Sequence, residues 1–312
     1  MAGRLIVFEG TDGSGKSTQF RALCDRAARS GHSFQKLVFP QYSEPSSALI
    51  RMYLGGEFGS HPGDVNPYAA SAFYAVDRYA SLKKVWGEYY SQGGLILTDR
   101  YTTSNAVHQG AKCAPQERPA FLGWLDDFEH HKMGLPRPDL VLYLDMPTDR
   151  AVSLLRQRES DTHTQGDIHE VDPDYLAACR DSALQAARLL GWQVIPCVTG
   201  DGRLRTVEEI HREVWSLVSP LLNLNYILLA EGFEEAEALI PADLLRRAGL
   251  PVSLVGLNAA TVAGGHGIAV AADLTLEQVV LSSQDMLLLP GGKGGVESMQ
   301  MDLFALALIQ KA

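Results

Sequence analysis

Residues Gly10-Thr11-Asp12-Gly13-Ser14-Gly15-Lys16-Ser17 match the pattern G-x-x-x-x-G-K-[ST] at every fixed position. No other stretch constrains the chain as tightly. It follows the apolar run Leu5–Phe8 directly and precedes a stretch that reads as a helix from about Lys16. A strand, a glycine-rich turn and a helix start, in that order, make a cradle for phosphates. The glycines let successive backbone N–H groups turn inward, and the helix N-terminus adds partial positive charge. The residue types give Lys16 the β- and γ-phosphates and the Ser17 hydroxyl a Mg²⁺ ion. The whole loop, through Thr18, is the expected binding site for ATP, with ATP and Mg²⁺ as the cofactors.

A second element supports this. Leu95-Ile96-Leu97-Thr98-Asp99 is an apolar strand ending in an acid, placed to bear on Mg²⁺ or its water shell, and Arg100 follows at once. A guanidinium there offers a fork of donors to a transferring phosphoryl group, although Asp-Arg pairs also occur as plain surface ion pairs. Lys16, Asp99 and Arg100 are therefore the candidate catalytic residues, with Ser17 and Asp99 for the metal.

Short apolar runs alternate with long amphipathic stretches to about residue 222, the pattern of a parallel sheet covered by helices. Strands are predicted at Leu5–Phe8, Leu37–Phe39, Leu95–Thr98, Leu140–Leu144 and Gln193–Pro196, and helices at Tyr68–Ser91, Pro115–Lys132, Pro173–Leu190 and Thr206–Val218. Gly55–Pro67 and Glu159–Val171 read as loops, the second as a lid. The chain punctuates over Ser219–Asn225, and a new pattern follows: strands Tyr226–Ala230, Val252–Gly256 and Met286–Leu289, helix Glu234–Ala248, and a final helix. With 312 residues, two domains are expected, 1–222 and 226–312. The second holds four Lys/Arg against ten Asp/Glu, a net of −6 within the chain's −10.

That acidity disfavours nucleic acid and anionic membranes as partners, and no apolar run approaches the ~18 residues of a membrane span. Cys24, Cys113, Cys179 and Cys197 lie far apart without a C-x-x-C pair, which suits idle thiols in a reducing cytoplasm. Nine histidines show no metal spacing.

With its motifs in place, the chain from 1 to about 218 resembles the thymidylate kinases. Glu9-Gly10-x-Asp12-Gly13-x-Gly15-Lys16-Ser17-Thr18-Gln19 is similar to that family's opening signature. Asp99-Arg100-Tyr101, Ser104 and Gln109-Gly110 resemble its D-R-Y-x-x-S-x-x-A-Y-Q-G run; Phe39-Pro40 and Pro136-x-Pro138-Asp139-Leu140 add two more matches. The resemblance implies a P-loop nucleoside monophosphate kinase fold, a homodimer, and the phosphorylation of dTMP to dTDP. It implies that Asp12 meets the sugar hydroxyl, Arg100 the phosphates, and Tyr74 with Arg78 the base, with Ser104, His108 and Gln109 also lining the substrate. On residue type alone, Tyr74 suits a core as well as a pocket, and Arg78 could extend to solvent. The family's F-P-x-R arginine is replaced by Tyr42, leaving Arg51 as the nearest substitute, and the lid arginine is absent, leaving Arg156 and Arg158. His108 stands where the family has the aromatic of A-Y-Q-G. Kinases for other nucleoside monophosphates, and a nucleotide-binding regulator without efficient turnover, remain as alternatives.

Leu228–Glu237, Pro241-Ala242-Asp243, Arg246–Gly249, Gly265–Ile268 and Leu289–Gly292 resemble the first half of the DJ-1/PfpI family. The resemblance implies a partial flavodoxin-like α/β module with Glu237 beside a nucleophilic cysteine and backbone donors at Gly291-Gly292. Residues 226–312 contain no cysteine, and a carboxylate alone does not replace a thiolate nucleophile. This module is expected to be non-catalytic, with a deglycase or chaperone role as the alternative.

Overall fold

The computed structural model describes residues 3–30, 32–162, 173–222, 224–248, 250–279, 281 and 285–311. They gather into two compact units, Met1–Arg26 with Ser33–Trp215, and Ala27–His32 with Ser216–Ala312.

In the first unit, strands β1 (Arg4–Gly10), β2 (Phe34–Val38), β3 (Leu95–Asp99), β4 (Leu140–Asp145) and β5 (Gln193–Pro196) form a parallel sheet of order β2-β3-β1-β4-β5. Central β1 is buried along almost its whole length, as expected for an interior parallel strand covered on both faces. Its register places Phe8 beside Asp99 on one side and Leu142 on the other. The ends of β1 and β3 therefore open together, and the glycine-rich loop runs from β1 into helix α1 (Lys16–Arg29).

The predicted helices are mostly present, with informative breaks. A short helix, α2 (Ala48–Leu54), precedes the polar Gly55–Pro67 segment. The expected Tyr68–Ser91 helix is α3 (Pro67–Ser81), a π-helical turn over Leu82–Trp86, and α4 (Gly87–Ser91). The wider turn accompanies complete burial of Trp86. Asn66 caps α3 by accepting the Ala69 N–H at 2.9 Å. Next come α5 (Thr103–His108) and α6 (Arg118–Asp126), and α6 passes into a second π turn over Asp127–Lys132. Helix α7 (Thr148–Thr162) takes up Glu159–Thr162, where the sequence pattern predicts a loop. The rest of the expected lid, through Val171, lies outside the described residues. Helix α8 (Pro173–Leu190) has the predicted bounds. Strand β2 starts at Phe34 rather than Leu37, and Phe39 falls just beyond it but is buried.

Helix α9 (Val207–Leu222) corrects the expected break at Ser219-Pro220, because Pro220 lies inside it. A proline there removes one hydrogen bond, yet Val214, Val218 and Leu222 are all buried on one face, which favours continuing the helix.

The second unit has a parallel sheet of order β10-β7-β6-β11, built from β6 (Asn225–Leu229), β7 (Val252–Gly256), β10 (Leu274–Thr275) and β11 (Met286–Leu288). A separate antiparallel hairpin, β8 (Thr261–Ala263) with β9 (Ala269–Ala271), was not foreseen. Helix α10 (Glu235–Arg247) packs on the sheet. The single final helix expected is two, α11 (Lys293–Met301) and α12 (Leu303–Lys311). Asp302 divides them, its Oδ1 accepting the Phe304 and Ala305 N–H groups at 2.9 Å each. Alternate residues of β6 enter two apolar clusters, Tyr226 and Leu228 in one, Ile227 and Leu229 in the other. Met301, Leu303 and Phe304 are strongly exposed. Among the described residues, no helix is long and apolar enough to cross a membrane.

Candidate active site

The phosphate loop has the geometry its sequence implies. Gly13 (φ 80°) and Gly15 (φ 81°) occupy the left-handed region that favours glycine. A side chain at Gly13 would strike the Ala151 carbonyl, whereas nothing lies within 4 Å of the Cβ position at Gly15. The Ser14 hydroxyl is buried in this loop without a hydrogen-bond partner among the described residues. Lys16 Nζ lies 2.9 Å from Asp99 Oδ1, and Ser17 Oγ donates to Asp99 Oδ2 at 3.4 Å. A hydroxyl beside a carboxylate at a phosphate cradle is a hard-oxygen donor set, and it suits Mg²⁺.

Arg100 ties the loop to the neighbouring cavity. It is the one non-glycine residue with a left-handed backbone among those described, φ 67°. That conformation commonly costs about 1–3 kcal/mol. Its N–H donates to Phe8 O at 2.9 Å, and its carbonyl accepts from Thr98 Oγ1 at 2.8 Å. Its guanidinium meets Asp12 Oδ1 at 2.5 Å and Glu9 Oε1 at 3.5 Å. Burial alone would loosen the guanidinium's proton, but Asp12, Glu9 and Asp99 outweigh burial and raise it above the ordinary arginine value.

Arg100 Nη1 also lies 2.9 Å from His108 Nε2. Arginine only donates, so Nε2 must accept and the His108 proton belongs on Nδ1, which faces Cys179 Sγ at 3.6 Å. Burial pushes the Cys179 thiol up to about 12. Glu9, fully buried, accepts from Gly10 N–H at 3.0 Å, Thr103 Oγ1 at 2.8 Å and Ser104 Oγ at 2.7 Å.

Two cavities of about 280 Å³ each adjoin these groups. One is lined by Thr11–Thr18 of the loop and Leu154, the other by Phe39, Tyr42, Tyr74, Arg78, Arg100, Ser104, Asn105, His108 and Gln109 among others. Asp12, Lys16 and Ser17 line both. Gln109 is fully buried, and among the described residues neither of its amide atoms has a partner.

The structure thus brings together the loop, Asp99, Arg100, Tyr74, Arg78, Ser104, His108 and Gln109. Arg78 does not extend to solvent, since it is buried and makes a two-pronged ion pair with Glu129 at 2.6 and 2.7 Å. Arg51 is a correction. Its Nη1 donates to Tyr42 O at 2.6 Å, Glu44 O at 3.2 Å and Ser47 Oγ at 2.5 Å, and it does not line the acceptor cavity. Arg156 is exposed on α7 and lines neither cavity, and the Arg158 side chain lies outside the described residues. Glu9, Asn105 and Glu129 went unassigned from sequence. Glu9 had a signal, an acid ending an apolar strand; Glu129 had none within its own segment.

In the second unit, Glu237 Oε2 accepts the Gly291 N–H at 2.6 Å, so the expected carboxylate and glycine turn do meet. His266 Nδ1 lies 2.8 Å from Glu235 Oε2.

A parallel sheet with a phosphate loop after its first strand, a strand-end acid at the metal position and a second cavity sharing the loop's lysine defines a P-loop nucleotide kinase. The thymidylate kinase family model matches residues 8–210, and the chain belongs to that family. It is 33% identical to the human thymidylate kinase over 144 residues, spanning 46% of this chain but only 61% of the human one. It is 31% identical to that of Mycobacterium tuberculosis over 54% of this chain and 79% of the relative. A probable thymidylate kinase of Pyrococcus horikoshii is 29% identical over 70% of this chain and 97% of its own length. The solved thymidylate kinase of Candida albicans shares the fold, with a TM-score of 0.51 at 22% identity, covering 70% of this chain and 91% of that one. The DJ-1/PfpI family model matches residues 225–312.

Proposed function

We propose that the chain transfers the γ-phosphoryl group of ATP to a pyrimidine deoxynucleoside monophosphate, converting dTMP to dTDP. One observation carries this: the phosphate-loop cavity and the acceptor cavity share Asp12, Lys16 and Ser17. A donor in one and an acceptor in the other would approach across a single lysine and hydroxyl, the arrangement in-line transfer needs. Lys16 and the loop N–H groups hold the β- and γ-phosphates. Ser17 and Asp99 would hold Mg²⁺, which supplies charge neutralisation when bound. Arg100, kept charged by Asp12 and Glu9, turns its donors to the moving phosphoryl group. Asp12 takes the sugar hydroxyl, and Tyr74 stacks on the base beside Arg78. A coupled assay across nucleoside monophosphates, with ATP-only and no-acceptor controls, tests this. The expected result is highest kcat/KM for dTMP, with dUMP next; preference for a purine acceptor overturns it.

A second reading, a nucleotide-binding regulator with little turnover, has one observation in its favour. Among the described residues, only Arg78 and Arg100 bring guanidinium groups to the acceptor cavity. Nucleotide binding without phosphoryl transfer in the same assay would select it.

The kinase domain is taken as residues 1–222 and the DJ-1/PfpI-like module as 226–312, the latter without chemistry of its own. Val76, Tyr79 and Val85, exposed on α3 and its π turn, support a homodimer. Four free cysteines support a reducing, cytoplasmic setting.

A further inference from the structure

Behind the acceptor cavity lies a carboxylate that takes no part in phosphoryl transfer. Glu129, on the π turn after α6, is fully buried and does not line the cavity. It accepts from Arg78 Nε at 2.7 Å, Arg78 Nη2 at 2.6 Å and Asn105 Nδ2 at 2.8 Å. Arg78 and Asn105 both line the cavity.

The consequence is a fixed polarity. Asn105 Nδ2 also donates to Ser71 O at 3.2 Å, so both its protons go to groups that only accept. The amide then has one orientation, nitrogen inward and Oδ1 left over. Arg78 Nη1 donates to Tyr101 O at 3.2 Å, which leaves one N–H on each terminal nitrogen. Among the described residues, one cavity-lining side chain therefore has a spare acceptor and the other spare donors. Gln109 lines the cavity as well, and among the described residues neither of its buried amide atoms has a partner.

We infer that Glu129 is a positioning residue that sets the hydrogen-bond polarity with which the cavity reads its base. The cavity then takes a base whose ring N–H adjoins a carbonyl, as in thymine and uracil. It rejects cytosine, whose ring nitrogen accepts and whose amino group donates. This rests on the kinase reading above. A carboxylate suits the role because it brings no proton. A glutamine at 129 donates as well as accepts, releases the Asn105 amide to turn over, and leaves Arg78 without its counter-charge.

The test is calorimetric titration of the full chain with dTMP and dCMP, alongside turnover of both with ATP. Wild type is expected to bind dTMP at least roughly tenfold tighter, the scale of one mispaired buried polar group. Glu129→Gln should shrink that ratio toward one, raising KM for dTMP far more than it lowers kcat and leaving KM for ATP unchanged. Glu129→Asp, which keeps the charge, should keep the order of preference. An unchanged dTMP-to-dCMP ratio in Glu129→Gln overturns the inference. Should that variant fail to fold, Asn105→Ala decides, because it leaves the Arg78–Glu129 pair intact and must shrink the ratio likewise; an unchanged ratio there also overturns it. Equal binding of the two nucleotides by wild type overturns it as well. Discrimination in binding with no turnover of either overturns the proposed function alone.

Discussion

The two units present the same ingredients, a parallel sheet, glycine turns and acids at strand ends, but to different effect. In the first, Lys16, Asp99, Arg100 and Glu9 are pressed together around two cavities, and among the described residues buried polar atoms of Ser14 and Gln109 are left unspent. In the second, Glu237 meets the Gly291 N–H, and no thiol stands anywhere in residues 226–312. A site capable of chemistry keeps groups available that a purely structural contact would use up.

The strongest way to break this contrast is a pair of substitutions. Lys16→Ala should lower kcat by ~10²–10³, as removal of a preorganised charge contact commonly does. Glu237→Gln should leave phosphoryl transfer unchanged, and the full chain should consume no methylglyoxal in a thiol-dependent way. Wild-type turnover by folded Lys16→Ala, or methylglyoxal consumption abolished by alkylation, would reverse the roles of the two units.

A gain of function sharpens it next. Tyr42 lines the acceptor cavity where the family's arginine stands, while Arg51 is held by its own loop. Tyr42→Arg should lower KM for the acceptor monophosphate roughly tenfold, the scale of one charge-assisted hydrogen bond. Steady-state kinetics with dTMP at saturating ATP would read this, and an unchanged KM would show that the cavity needs no such clamp.

The smallest effect belongs to the second unit. The hydrogen bond to Glu235 raises the pKa of exposed His266 above 6.5, and the same bond lowers that of Glu235 to about 2. The raised His266 contribution is complete below its unfolded pKa of 6.5 and is lost as pH rises through the folded one. The Glu235 contribution is present above 4.5 and fades as pH falls toward about 2. Proteolysis of residues 226–311 should thus be modestly faster at alkaline pH than near pH 6, and His266→Gln should remove the difference. Equal rates in wild type would count against the pair.

How much of this was legible in advance follows the range of the interactions. The glycine loop, β1 and α1 are local patterns, and so are β5 and α8, whose bounds match the prediction. The breaks come where the helical period changes. At Leu82–Trp86 and Asp127–Lys132 the π turns add a residue per turn, and a search for a 3.6-residue rhythm reads straight through them. The second of these carries Glu129, whose partner Arg78 lies 51 residues away. Nothing in either segment announces the other. Pro220 misled in the opposite sense, because a local breaker was outweighed by burial of the same helix. Resemblance supplied Arg78 as a base-reading residue, but only the fold shows what holds it.

The burial of the thiols has a practical consequence for labelling. Burial pushes Cys24 up to about 11 and Cys179 and Cys197 up to about 12, and it raises Cys113 as well. Thiolate is the form that reacts, so all four should be slow toward maleimides and mild oxidants. A cysteine installed at exposed Phe304 would outcompete them. Because residues 226–312 contain no native cysteine, a fluorophore attached there would report on the second unit alone, in a chain whose phosphate site carries no dye.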